Sequence, residues 1–556
     1  MSRDRAVPPA GQLRRLRDIT QVLVTYGFQD VAARLRLAPR PRKGPFKPDR
    51  PAAKAATARR LRQALEDLGP TFIKFGQALS TRADLLPPDF LDEFSKLQDH
   101  VPPMPAGVAE ATIAAELGSP VTGLFAEFES EPIAAASIAQ VHRARLPSGE
   151  RVAIKVRRPG IAATIEGDLA ILAQLGRLAE RYLADADLLQ PVRLVREFAR
   201  AIRREQDLAR EGRTIDRFRQ HFDGDATVFV PRVFWERTTS AVLTMEFVDG
   251  VKVSDLGVPR HGFDRAVVAR RGANAILRQV LKHGLFHADP HPANIFVLPG
   301  DVICFLDFGT VGRLDRRLRD RLASLVQAIV REDVDRMTDA VLTIAEPVGD
   351  IGVQELRQDV AEVFDAYSSV RLNDMAVGAL LLEGVTMMGR HRLRFPPDLL
   401  LLAKAFVTIE GVGRQLDPSF TLVEHARPLV EEVLRERLSP SAMASRLGEA
   451  GRDAAETLQA IPREIREILG KARRDRFQIQ FVHRNLDYFV QEMDRSSNRL
   501  SFAIVIAALI VGSSLIFQSG AGPALFGYPA LGLTGFLTAA LLGIWLVIGI
   551  VRSGRL

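Results

Sequence analysis

A single cysteine, Cys304, stands in 556 residues. That excludes an internal disulfide and fits a reducing compartment. The N-terminus is charged and lacks a compact apolar run, so no signal peptide is expected. Internal repeats and low-complexity segments are also missing. Neither sign of charge dominates: 75 Lys and Arg oppose 67 Asp and Glu. An excess this small does not indicate a nucleic-acid partner. Basic residues crowd the first 60 positions, among them Arg14, Arg15, Arg17, Arg34, Arg36, Arg40, Arg42, Lys43 and Lys47. They read as a solvated arm or as an attraction to an anionic membrane surface.

The largest absence lies near the C-terminus, where no Asp, Glu, Lys or Arg occurs from Phe502 to Val551. Two apolar runs, Leu500 to Phe517 and Leu531 to Val551, reach roughly 27 and 31 Å as helices, about one hydrocarbon thickness each. The connector Gln518 to Ala530 reads as the turn between them. Arg495 and Arg499 precede the pair, and Arg552 and Arg555 follow it. The positive-inside rule then places both ends, and the soluble part, on the cytoplasmic side.

What is present centres on Gly284 to Gly309. HADPHPANI (His287 to Ile295) is followed by FLDFG (Phe305 to Gly309). This order suits phosphoryl transfer: Asp289 orients or deprotonates the attacking hydroxyl, and Asn294 with Asp307 holds Mg²⁺ against a triphosphate. Positioning and charge neutralisation supply most of that catalysis, so two carboxylates and an amide on short loops suffice. Upstream, VAIK (Val152 to Lys155) is where a protein kinase places the lysine that pairs with the α/β-phosphates. The motif is weak alone and strong in this order, with Lys155 134 residues before Asp289.

The stretch Phe125 to Val156 divides into a strand ending near Ile133, a small-residue loop Ala134 to Ser137, and strands Gln140 to Leu146 and Arg151 to Val156. A kinase has a glycine-rich GxGxxG loop there, whose bare backbone approaches the phosphates. Alanines here limit that approach and predict altered nucleotide handling. A strand ending in SAVLTMEFVDG puts a hinge for adenine near Glu246 to Val248. Spacing leaves four candidates for the glutamate that pairs with Lys155: Glu166, Glu197, Glu205 and Glu211. No APE-like sequence follows Gly309, so a protein-docking activation segment is missing. Residues 320 to 425 are helix-rich, with an apolar block at Leu399 to Ala405. Cys304 reads as a small buried strand residue.

Lys74-Phe75-Gly76-Gln77, the Ala134 to Ser137 loop, VAIK, the ExD pair Glu205 and Asp207, HADPHPAN and DFG together resemble the UbiB/ADCK family of atypical kinase-like proteins. The resemblance covers roughly residues 60 to 425 and the tail. It implies that Lys74 and Gln77 lie on a helix folded over the active site and facing Glu205 and Asp207, with Glu211 as the partner of Lys155. It implies ATP or ADP with Mg²⁺ as cofactors, and nucleotide contacts from Ile133, Ala134, Ala135, Ala136, Ser137, Ile138, Ala139, Gln140, Val141, Lys155, Glu246 and Val248. It further implies support of ubiquinone biosynthesis at the bacterial inner membrane. The partners would be membrane lipids, polyprenylated quinone precursors and quinone-biosynthesis enzymes. Ala293 replaces the Gly common in HADPHPGN, and Thr214 stands where an Asn often follows the ExD pair. Neither change removes a charged group.

The expected fold is α+β: a bilobal protein-kinase-like fold with a helical N-terminal extension and a C-terminal transmembrane hairpin. The expected divisions are a basic arm and linker (1–55), the KxGQ extension (56–120), an N-lobe with a helical insert (121–250), a C-lobe (251–430), an amphipathic linker (431–499) and two membrane helices (500–551). Two other readings stand beside an ATPase. One is a phosphotransferase like the aminoglycoside or choline kinases, and the other is a nucleotide-binding scaffold without catalysis.

Overall fold

A computed structural model describes residues 10–28, 51–82, 85–97, 101–182, 190–256, 262–348, 351–368, 377–437, 486–519, 523–525 and 528–552. Most of the proposed amphipathic linker, 438–485, lies outside the described residues. The chain divides into two compact units, Met1–Met443 and Ala444–Leu556.

In the first unit, strands Ala139–Arg145 and Arg151–Arg157 form an antiparallel hairpin across Pro147-Ser148-Gly149, extended by Glu127–Phe128 on one edge and Val242–Glu246 on the other. Side chains alternate across a strand. Val152, Ile154 and Val156 therefore turn to one face and pack with Ile113 and Phe125. Ala153 and Lys155 take the opposite face, toward the second lobe. The alanine loop departs from expectation: Ala134–Ala135 pair with Val141 and Gln140 as a short strand, and Ala136 N donates to Ala139 O at 2.9 Å.

The N-terminal extension is more ordered than its composition suggests. Residues Ala10–Thr25 are a helix, with Ile19 1% exposed. Arg15 donates through Nε and Nη2 to the carboxylate of Asp168, at 2.8 and 3.2 Å. Asp168 is buried, and the same guanidinium reaches Leu68 O. This corrects the reading of a solvated arm for that stretch: a buried carboxylate in the long helix Ile161–Tyr182 needs a cation, and Arg15 supplies it. The next helix begins at Pro51, five residues before the expected boundary, and runs to Leu68. Pro70 opens the KxGQ helix Pro70–Ser80, where its missing N–H costs nothing. Gly76 in that helix is a contact requirement: a Cβ there collides with Leu97 and Leu65. Ile19, Leu65, Phe72, Phe94, Ile165, Leu169, Phe198 and Ile202 make one core among these helices.

The charged segment after Gln190 is two helices, Pro191–Glu205 and Leu208–His221, broken where the Asp207 side chain accepts from Arg210 N. Such an N-cap satisfies one of the donors a helix start leaves open. The second lobe holds a hairpin, Ile295–Leu298 with Val302–Phe305, flanked by Val228–Phe229 and Val251–Lys252. Leu285–His287 pairs separately with Val311–Arg313. Helices Arg265–Arg278, Arg316–Val330, Val334–Ile344, Val353–Ser368, Val377–Arg390, Pro397–Leu416 and Leu422–Arg437 surround them. Only the short strand Val311–Arg313 separates Gly309 from the helix at Arg316, and the segment has no room for a docking loop.

In the second unit, Leu486–Ser519 and Ala530–Arg552 form a helical hairpin. Their portions Ser497–Ser519 and Ala530–Val547 are long and apolar enough to cross a membrane. Small residues make the seam. Gly535 lies so close to Ser513 that a Cβ meets its hydroxyl, and Ala539 and Ser513 are buried. Phe517 meets Phe536 and Phe502 meets Trp545 edge-on, at 5.7 and 5.9 Å between ring centroids. Leu515, Leu541, Ile544 and Trp545 face outward.

Candidate active site

The HADPHPAN stretch is built from backbone first. His287 is fully buried, and its Nδ1 accepts from Asp289 N at 3.3 Å while Nε2 donates to Leu306 O at 3.0 Å. Burial pulls this imidazole below its usual value and favours the neutral ring, while the two hydrogen bonds select the tautomer. His287 thus ties the Asp289 loop to the Asp307 strand through one ring. The Gln279 amide oxygen accepts from His287 N at 2.9 Å. A 3₁₀ turn, Pro292–Asn294, follows, capped by the His291 side chain. Asn294 donates through Nδ2 to Asp289 O at 3.3 Å, which leaves its Oδ1 for other duty.

Across the cleft, Lys155 Nζ donates to both oxygens of Glu211, at 2.9 and 3.0 Å, and to Asp307 Oδ1 at 3.0 Å. Of the four glutamates that spacing left open, Glu211 is the one on Lys155. Glu166 instead takes Arg203, Glu197 takes Arg82 and Arg193, and Glu205 takes Lys74. Burial works against the Lys155 charge, but the adjacent Asp307 and Glu211 outweigh it and hold the ammonium above its usual range. Lys155 in turn holds the Asp307 carboxyl well below the ordinary carboxylate range, with Lys74 adding to its field. Burial raises the Glu211 carboxyl, and Lys155 opposes it. Asp307 sits at φ 61°, in the left-handed region that non-glycine residues seldom adopt. Strain of that kind collects where a site must aim a side chain.

Lys74 Nζ meets Glu205 Oε1 at 2.6 Å, which closes the KxGQ helix onto the helix before Glu211. Gln77 points elsewhere and donates to Leu97 O at 3.0 Å. Asp207 caps the helix Leu208–His221 and meets Arg213 at 3.4 Å. The run Ile133 to Val141 is also not uniform. Gln140 turns to the far face of its strand, accepts from Met104 N at 2.8 Å and donates to His142, and Ile138 joins the core of the helical extension. Pleat alternation turns Gln140 away from the face that carries Lys155. Val141 pairs with Lys155 and shares its face, Ala134 and Ala135 form the edge, and Ala139 is buried. Ser137 is buried with a hydroxyl that has no partner, while Ile133 is exposed. At the hinge, Glu246 accepts from Arg232 N at 3.2 Å and Val248 is buried.

One contact at Asp289 lies outside everything read from the sequence. Lys404 Nζ meets Asp289 Oδ1 at 3.0 Å from the helix Pro397–Leu416. The only signal for it was a lone cation inside the apolar block Leu399 to Ala405.

Asn294 and Asp307 would offer one amide oxygen and one carboxylate. Among the described residues no group of three His, Cys, Asp or Glu is placed to hold a metal alone. That donor set fits Mg²⁺, which takes one or two protein oxygens and completes its shell from phosphates and water.

Family comparison agrees with this geometry. The ABC1 atypical kinase-like domain matches residues 96–341, the UbiB helical domain 360–421, and the ABC1/UbiB kinase-like C-terminal domain 484–552. The chain belongs to the UbiB/ABC1 family of atypical kinase-like proteins. Its relatives include a "Probable protein kinase UbiB" of Pseudomonas putida W619, 36% identical over 88% of this chain and 89% of the relative. The F1 strain has another of that description, 34% identical over 96% and 99%. A Clostridium pasteurianum protein, described as uncharacterized and in a hydrogenase 1 5′ region, is 32% identical over 98% and 99%. A solved structure, the complex of Rv3197 with erythromycin from Mycobacterium tuberculosis, aligns at TM-score 0.43. It is 21% identical, covering 66% of this chain and 97% of that one. The UbiB-type helical domain contains Lys404.

Proposed function

We propose that this chain is a membrane-anchored, Mg²⁺-dependent ATPase-like member of the UbiB family that supports ubiquinone biosynthesis by acting on or mobilising lipid precursors. The observation that carries this reading is Lys155 bridging Glu211 and Asp307 beside the Asp289 loop, with the Lys74–Glu205 pair closing the site. Lys155 would contact the α/β-phosphates with Glu211 fixing its ammonium. Asn294 and Asp307 would hold Mg²⁺, which would neutralise phosphate charge. Asp289 takes the proton as an oxygen of water or of a small acceptor bonds to γ-phosphorus and the bond to the ADP oxygen breaks. The short connection from Gly309 to Arg316 favours a small acceptor or water over a protein. The C-terminal hairpin supports a place in the inner membrane, and its flanking arginines favour a cytoplasmic soluble part.

The test is phosphate release by the full chain in detergent with precursor lipids, together with quinone content in cells. Asp307→Asn should abolish Mg-nucleotide binding, and Asp289→Asn should bind nucleotide but lower turnover by roughly 10²-fold or more. Turnover that survives Asp307→Asn overturns the mechanism. A phosphorylated soluble acceptor would favour the phosphotransferase reading, and full quinone content with Asp289→Asn would favour a scaffold.

A further inference from the structure

Asp289 is the group on which phosphoryl transfer turns, and one of its two oxygens already has a partner. Lys404 Nζ lies 3.0 Å from Oδ1, and both side chains are about two-fifths exposed. The cation comes from far along the chain, from a helix that is otherwise firmly packed. Leu399, Leu400, Leu402, Ala403, Ala405 and Phe406 of Pro397–Leu416 are buried. The same helix fixes the segment after the DFG sequence, because Asp398 Oδ1 accepts from Arg313 N at 2.9 Å. One rigid element thus touches both sides of the reaction centre: the Asp289 carboxylate, and the strand that carries the chain away from Asp307.

A kinase that docks protein substrates holds those two places with an activation segment. Here Val311–Arg313 passes straight into the helix at Arg316. We infer that Lys404 is a positioning residue for the reaction at Asp289, and that the helix Pro397–Leu416 replaces the activation segment as the support of the acceptor side. Its ammonium fixes the Asp289 carboxylate so that the free Oδ2 faces the incoming hydroxyl. A charge-assisted bond of this kind is short and directional, and misplacing a base by about 1 Å costs on the order of 10²-fold in rate. This inference rests on the phosphoryl-transfer reading above.

The experiment measures ATP turnover by the full chain in detergent for Lys404→Ala, Lys404→Arg, Asp289→Asn and the double variant Lys404→Ala/Asp289→Asn, with melting temperatures alongside. Lys404→Ala should lower kcat by roughly 10- to 100-fold with KM for MgATP within about twofold. Lys404→Arg should recover most of that loss, because it restores a cation that a packing role does not need. In the Asp289→Asn background, Lys404→Ala should cost little more, as two residues acting through one step are not additive. Unchanged or raised turnover in Lys404→Ala, a loss confined to KM, or no rescue by arginine overturns the inference. A wild-type chain without turnover overturns the phosphoryl-transfer reading itself, and the two failures are therefore distinct.

Discussion

At the scale of single residues, charge and its neutralisation set the site. Lys155, Glu211 and Asp307 form a closed group in which each charge depends on another. A second residue-scale device lies at the junction of the lobes. His221, on the last turn of the Glu211 helix, stacks on His283 at 4.2 Å with the rings 7° from parallel. Burial first, and then the His221, Lys282, Arg278 and Arg319 charges, pull His283 down to about 4. Burial also lowers His221. An unfolded histidine titrates at about 6.5, so the native state binds fewer protons between that value and about 4. Stability is therefore intact above about pH 6.5 and falls as the pH drops toward 4. His283→Phe keeps the stacked ring and removes the titration, so its melting temperature should fall less than wild type between pH 7 and pH 4.5. Parallel melting curves at a series of pH values check this, and an equal fall rules it out. Sequence patterns were most legible at this scale. HADPHPAN, DFG and VAIK announce their chemistry because each places several residue types within one short loop. Lys404 shows only as a lone cation in an apolar block, because its partner Asp289 is 115 positions away and only packing brings them together.

At the scale of elements, the strands around VAIK were legible in the sequence, and the KxGQ helix was implied by the family resemblance. Two features were not. Gln140 lies on a strand that reads as nucleotide-binding, yet the pleat sends its side chain to Met104. The basic N-terminal helix reads as solvent-facing, because nothing local reveals that Asp168 waits buried for Arg15. That pair makes an element-scale prediction. Arg15→Ala leaves a buried carboxylate without its cation and should cost about 3 kcal/mol. Asp168→Asn in the same background should return part of the loss, since it removes the stranded charge. Denaturant unfolding of the single and double variants measures both, and equal stability of Arg15→Ala and wild type rules out a structural role for the pair.

At the scale of the molecule, a nucleotide-type centre and an apolar hairpin share one chain. The hairpin was the plainest reading of all, because fifty residues without a full charge have few other uses. Its internal seam was less plain: Ser513 and Gly535 meet through a geometry that hydropathy alone does not encode. The expected outcome is that the full chain stays with membranes through alkaline carbonate washing, while a chain ending at residue 485 passes into the soluble fraction. Fractionation of cells expressing each form decides it. Retention of the shortened chain in the carbonate-washed membrane moves the anchor elsewhere.

Cys304 lies wholly buried in the strand before Asp307, and burial raises its thiol far above the usual range. Toward maleimides and spin labels the native protein is therefore blank. A cysteine placed on the KxGQ helix and another on Pro397–Leu416 would be the sole reporters in their chain. Distances between such probes would report the spacing of the two helices on either side of the site, with no background thiol to remove first.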